Sequence, residues 1–239
     1  IEVTHKLQAC DEDGNRVEKE TPKNEYLKTM TIFCFDNETN DPDLDWLQHG
    51  ISFACNYTLN QEKLLDIYSP LGHSLIEKSE YDNGIGMPNS LKKKISNLSN
   101  RNFWFSGKII SHENEYCIIT ELYDAQHGKL IQQREFIGDE IFKLIDNISL
   151  QLRYDLDIPS SYIESTECLP LLDIYTNSMK AFEYYVKGRV ANLGYDSTSC
   201  EEYYNKALTE DKNFAFMHYT LSDLHMDNDA VDKLTESLN

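Results

Sequence analysis

The chain has 239 residues, 40% of them hydrophobic, and carries 41 acidic side chains against 22 basic ones for a formal net charge of −19. That length and apolar content support one large core or two small ones, while the charge repels phosphate backbones and anionic headgroups and argues against nucleic-acid contact by this segment. No apolar run approaches the ~18 residues of a membrane-spanning helix, and an opening at Ile1 with no charged and apolar leader reads as a piece of a longer protein.

Residues 1–25 are polar, with a turn at Asp11, Glu12, Asp13, Gly14 and Asn15 and a breaker at Pro22, so an N-terminal arm or hairpin is expected. Met30 to Phe35 is apolar on both parities, as in a central strand covered on both faces. A loop over 36–43 follows, in which Asp41 or Asp43 can cap a helix carrying Leu44, Leu47, Ile51, Ala54 and Leu59 at helical spacing. Leu64 to Tyr68 is a second strand stopped by Pro70 and Gly72, and strand, helix, strand in that order implies a right-handed parallel crossover.

Leu91, Ile95 and Leu98 mark one helical stripe, and three strands then follow over 103–111, 115–124 and 129–137. Short connections make them an antiparallel meander, with Gly128 free to take the positive φ of a tight hairpin. Asp139 is positioned to cap a helix whose Ile141, Phe142, Ile145, Ile148 and Leu152 share a face, ending before Ile158 and Pro159. Residues 26–158 therefore read as one α/β domain, and the Ser-rich, Pro-bounded stretch 159–170 as a linker.

Residues 171–239 read as helical throughout, with helices over 179–193, 199–209 and 213–226. Tyr184, Gly188, Tyr203, Ala207, Leu208, Ala215, Tyr219 and Leu221 put small and aromatic residues where stacked helix pairs interdigitate, as in an incomplete repeat array. The fold class expected is a mixed sheet with flanking helices, α+β or α/β, followed by an all-α helical-repeat segment.

Little in the sequence carries chemistry. Asp82-Asn83-Gly84-Ile85-Gly86 resembles the D-x-G-x-G box of GHKL-type ATPases, but no apolar strand precedes it and no Asn-bearing helix or glycine-rich lid accompanies it, so it reads as a Gly/Pro loop. No nucleophile elbow, phosphate loop or zinc-protease motif occurs, and the seven histidines are scattered. Six cysteines, at 10, 34, 55, 117, 168 and 200, form no C-x-x-C pair, so no structural metal and no cofactor is expected. If all six were oxidised, fifteen connectivities would be open and spacing does not choose among them. Acidic runs at Asp36, Glu38, Asp41, Asp43 and Asp45, and at Glu201, Glu202, Glu210 and Asp211, are candidates for acid sensing, because neighbouring carboxylates resist joint ionisation.

Ile32-Phe33-Cys34-Phe35-Asp36-Asn37 with Asp41-Pro42-Asp43-Leu44, and Phe103-Trp104-Phe105-Ser106-Gly107 with Leu122-Tyr123-Asp124 and Gly128, resemble two signatures of TolB-like N-terminal domains. Ala181 to Arg189 followed by Tyr204-Asn205-Lys206-Ala207-Leu208 is similar to the tetratricopeptide-like helices that commonly follow them. The arrangement is also similar to the extracytoplasmic sensors of CadC and related ToxR-like membrane regulators. That resemblance implies a disulfide between Cys34 and Cys117, which fall near the two cysteines of those sensors. It further implies a periplasmic, non-catalytic input domain of a membrane-anchored transcriptional regulator, working through ligand- or pH-dependent self-association as a homodimer, with a membrane co-sensor protein or a small-molecule signal as further partners. The alternative is a cytoplasmic TolB-like and tetratricopeptide-like scaffold, and a third reading is GHKL-like nucleotide binding at Asp82.

Overall fold

The computed structural model describes residues 3–10, 15–23, 25–72, 74–77, 81–112 and 115–221. The chain divides into two compact units, Ile1–Leu169 and Pro170–Asn239. The first opens on an antiparallel hairpin of β1 (Thr4–Cys10) and β2 (Arg16–Pro22), with Thr4 opposite Pro22 and Cys10 opposite Arg16.

A six-stranded mixed sheet follows. It contains β3 (Lys28–Ile32), the two-residue β4 (Asp36–Asn37), β5 (Leu65–Tyr68), β6 (Phe103–His112), β7 (Glu115–Asp124) and β8 (Lys129–Gly138), in the order β5-β3-β6-β7-β8 with β4 beside β6. β5, β3 and β6 are parallel, and β6, β7 and β8 form the expected antiparallel meander. The strand expected over 30–35 is found over Lys28–Ile32, between β5 and β6, and Met30 within it and Phe33 and Phe35 just beyond it have no exposed surface. The hairpin into β8 turns at Gly128, with φ +73°.

Between these strands lie α1 (Leu47–Leu59), α2 (Ser74–Glu77) and α3 (Asn89–Leu98), and after them α4 (Ile141–Asp155) and α5 (Ser160–Ser165). α1 and α4 pack together on one face of the sheet, joined by a Thr58–Ser149 hydroxyl hydrogen bond of 2.7 Å. On the other face Ile95 of α3, with Ile76 and Met87, covers Phe33, Trp104, Tyr123 and Ala125. The Trp104 and Tyr123 rings stack at 4.6 Å between centroids, a contact of about 0.5–1.5 kcal/mol beyond the area it buries.

Three local expectations are corrected. Asp41 caps the short 3-10 turn Pro42–Leu44 through the Asp43 N–H, and α1 begins only at Leu47. The N-cap of α4 is Glu140 in extended conformation with no side-chain cap, rather than Asp139. The stretch 159–170, expected as a linker, is partly helical, because α5 forms directly after Pro159 and buries Ile163; proline at a helix start loses no hydrogen bond.

The second unit holds α6 (Leu171–Ile174), α7 (Met179–Leu193) and α8 (Ser197–Glu210), and residues 215–221 are also helical. Ser178 caps α7 through the Ala181 N–H and Asp196 caps α8 through the Ser199 N–H. α7 and α8 pack closely as a helical hairpin, with Phe182, Tyr185, Tyr204 and Phe214 buried. The third expected helix, 213–226, is found from 215 to 221, with 213 and 214 not helical, and 222–226 lie outside the described residues.

Candidate functional site

β3 crosses through α1 to β5 on one side, and β5 returns through α3 to β6 on the other. Such a reversal opens a crevice beyond the carboxyl ends of the two strands where the winding changes direction. Here those ends are occupied by polar groups and a loop. The Asp36 carboxylate accepts from the Gly86 N–H at 3.0 Å. His49 Nε2 lies 3.1 Å from the Asn83 carbonyl, which can only accept, so that nitrogen carries the proton. The Cys34 thiol donates to the same carbonyl at 3.7 Å.

The Asp82 loop is therefore fastened at two residues, with Asn83, Gly84 and Gly86 at φ +46°, +85° and +68°. The side chain of Asp82 lies outside the described residues, while the Gly86 N–H that would approach a nucleotide is committed to Asp36.

Lys92, on α3, is 5% exposed. Burial lowers its pKa, opposed by the carboxylates of Asp36 and then Glu121. Glu121 also accepts from the Tyr123 hydroxyl at 3.0 Å, and Asn89 donates to that hydroxyl at 3.1 Å. Burial, then the bond to Glu121, raises the Tyr123 pKa. Burial likewise pushes Cys34 up to about 12, so at neutral pH it is a protonated thiol and a poor nucleophile. What the crevice does is hold the loop.

A different surface faces outward. Arg134 on β8 forms a two-pronged pair with Asp155 of α4, at 2.7 and 2.6 Å, which fixes the even-numbered residues 132–138 toward the helices. Lys108, Ile110, Ile119, Glu121, Gln133, Glu135 and Ile137 occupy the opposite face and are partly or largely solvent-accessible. Ile110, Cys117 and Ile137 stand in one row across three strands, and Ile137 is 42% exposed. β8 is the last strand of the sheet, and one extra residue, Ile131, bulges between the pairs Leu122–Gln132 and Tyr123–Leu130. This face escaped the sequence reading, although the alternation of Gln133, Glu135 and Ile137 with Gln132, Arg134 and Phe136 is its signal.

The expected Cys34–Cys117 pair is not brought together, and both are free thiols. β6 stands between β3 and β7, so the pair is at least two strand spacings apart, about 10 Å, against the ~7 Å limit for a bridge. Cys117 instead donates to Glu135 at 3.3 Å, and burial followed by that carboxylate raises it to about 11.

Most of the acidic candidates have partners of their own. Glu38 pairs with Lys108 at 2.8 Å, Asp45 accepts from Asn37 at 2.7 Å, and Glu202 pairs with Lys206 at 2.6 Å. Asp211 accepts from the Asn213 N–H at 2.9 Å and from Thr176. Asp43 and Glu201 are exposed, and Glu210 ends α8.

The architecture defines a mixed α+β domain followed by a helical unit. No family model and no curated protein matches the chain. Among solved structures it is similar to the LpoB C-terminal domain from Escherichia coli, at 13% identity over 47% of this chain and 83% of that one, with a TM-score of 0.38. It is similar also to a PelC dodecamer from Paraburkholderia phytofirmans, at 12% identity over 58% and 95% with a TM-score of 0.38. To TolB from Acinetobacter baumannii it shows 10% identity over 64% of this chain and 30% of that chain, with a TM-score of 0.37. Likeness of this size defines neither a shared family nor a shared activity. Among the described residues no helix is long and apolar enough to cross a membrane.

Proposed function

We propose that the chain is a non-catalytic protein-binding module whose partner is a second copy of itself, docking through the open face of β6, β7 and β8 and the free edge of β8. The observation that supports this is that Ile110, Ile119 and Ile137 are solvent-accessible on one face of three adjacent strands, among charges of both signs, Lys108 with Glu121 and Glu135. A surface of mixed sign is self-complementary under a two-fold axis, where each residue meets a different residue of the copy. Sedimentation velocity tests it: the chain should dimerise at micromolar concentration and Ile137→Asp should be monomeric with an unchanged circular-dichroism spectrum. A wild type that stays monomeric at about 100 µM overturns the reading.

The finer form of this proposal rests on the sequence resemblance: an extracytoplasmic input domain of a membrane-anchored transcriptional regulator, whose association outside the membrane alters DNA binding inside. Asp36, Glu38, Asp41, Asp43, Asp45, Glu201, Glu202, Glu210 and Asp211 would then tune association with pH, since any proton taken up on dimerisation favours the dimer as pH falls. An alkaline phosphatase fusion to the natural gene decides the location. An inactive fusion with a stable product removes the regulator reading in favour of a cytoplasmic scaffold.

A further inference from the structure

A cleft of about 470 Å³ opens where the end of α3 meets the start of β6 and the β7–β8 turn, lined by Asn97, Asn100, Asn102 and Gln126 around Arg101, Phe103 and Asp124. Both of its charged side chains have partners within the chain. The Arg101 guanidinium pairs with Asp66 and lies over the Tyr68 ring at 5.5 Å. Asp124 takes the His127 ring Nδ1 at 2.7 Å and the His127 N–H at 3.0 Å, which holds its pKa below the ordinary carboxylate value.

The amides are less committed. Asn97 spends one N–H on the Ala125 carbonyl at 3.0 Å. The side chains of Asn100, Asn102 and Gln126 are exposed and have no hydrogen-bond partner among the described residues. Each offers two donors and a carbonyl acceptor. Two project from fixed backbone: the Asn102 N–H is held by the Thr29 carbonyl and hydroxyl, both at 3.0 Å, and Asn100 is bound back to Asn97 at 3.1 Å with φ +53°. The half-buried Phe103 adds apolar surface to the lining.

We propose that this cleft binds a neutral sugar of one or two hexopyranose rings. Its volume is in the range of small-molecule sites, and the opposite charges of Arg101 and Asp124 leave its lining with no net charge to select an ion. Its amides supply the alternating donors and acceptors that ring hydroxyls need, and Phe103 supplies a surface for the apolar C–H face of the ring. The cleft is open to water, so affinity should be millimolar, since each net hydrogen bond adds little against solvent.

The test is a titration of isotope-labelled chain, followed by amide NMR shifts, with glucose, galactose, N-acetylglucosamine and maltose, and with N-acetylglycinamide as a peptide-like control. At least one sugar should give saturable millimolar shifts confined to residues 97–103 and 124–128. Asn102→Ala and Gln126→Ala, which remove amides bonded to nothing described, should each weaken binding about threefold or more and leave the rest of the spectrum in place. Absence of saturation with every sugar, shifts elsewhere, affinity indifferent to both variants, or tighter binding of N-acetylglycinamide would each overturn the proposal.

Discussion

The Asp36 carboxylate and the Gly86 N–H, 50 residues apart in sequence, meet at 3.0 Å and bind the Asp82 loop to β4, just beyond the carboxyl end of β3. A hydrogen bond to a charged group contributes about 1.5–3 kcal/mol when shielded, and Asp36 is half-exposed, so Asp36→Ala should cost about 1–2 kcal/mol. Urea denaturation gives that figure, and hydrogen exchange at the Gly86 amide should quicken well beyond the change in global stability. A variant with unchanged Gly86 protection would show that the loop is held by other contacts.

Gly107 on β6 has no room for a side chain. A Cβ there would sit 2.2 Å from the Ile119 carbonyl oxygen and 2.5 Å from the Phe35 ring. Gly107→Ala should therefore lose about 3 kcal/mol or more, at the upper end of overpacking costs. Gly72→Ala is the contrast: φ is +83° but nothing lies within 4 Å, so only backbone strain of about 1–2 kcal/mol is expected. Paired thermal melts of the two variants check the difference.

Cys34 and Cys55, both buried, are raised by burial from 9.0 to about 12. Between those values the unfolded chain sheds its thiol protons while the folded chain keeps them. The folded state binds more protons, so stability is full below pH 9 and falls as pH rises through that window. By about pH 10 the loss is on the order of 1 kcal/mol per thiol. A Cys34→Ala/Cys55→Ala chain should start less stable but decline less steeply between about pH 8.5 and 10.5. An identical slope would assign alkaline sensitivity to other groups.

In the helical unit, a Cβ on Gly188 would lie 2.4 Å from the ring of Tyr204, which is 1% exposed. Alanine is worth about 1 kcal/mol more than glycine inside a solvated helix. Gly188→Ala should nonetheless destabilise, because α8 must move away or Tyr204 must leave its pocket. A melting temperature that rises would mean the two helices yield more easily than their packing implies.

The elements with a strong period were legible. The meander, α4 and α7 each repeat one apolar spacing over ten residues or more, and the run Met30 to Phe35 signalled an interior strand by its apolarity on both parities, although the strand itself is Lys28–Ile32. The Asp82 loop was not legible, because its order comes from Cys34, Asp36 and His49, whose proximity depends on β3 and α1 being in place. α5 was hidden for a related reason: Ser160, Ser161 and Ser165 have weak helical preference, and one buried side chain, Ile163, gives no period. Spacing alone could not separate Cys34 from Cys117, since which strand lies between two others is a property of sheet order.

Among the described residues β8 ends the sheet with an unpaired ladder beside Leu130, Ile131 and Ile137, which are 39%, 44% and 42% exposed. Such an edge is a template on which further chains can add without limit. Lys129, Arg134 and Glu135 on the strand, the bulge at Ile131 and a net charge of −19 all work against that growth. The charge is the part that solvent can remove. Colloidal stability should therefore be good in dilute neutral buffer and poor in concentrated salt, where the Debye length falls to about 3 Å at 1 M. It should also be poor in acid, as the carboxylates neutralise. Thioflavin fluorescence after incubation under those conditions should rise for the wild type and stay flat when Ile131 is replaced by proline, which cannot extend a ladder.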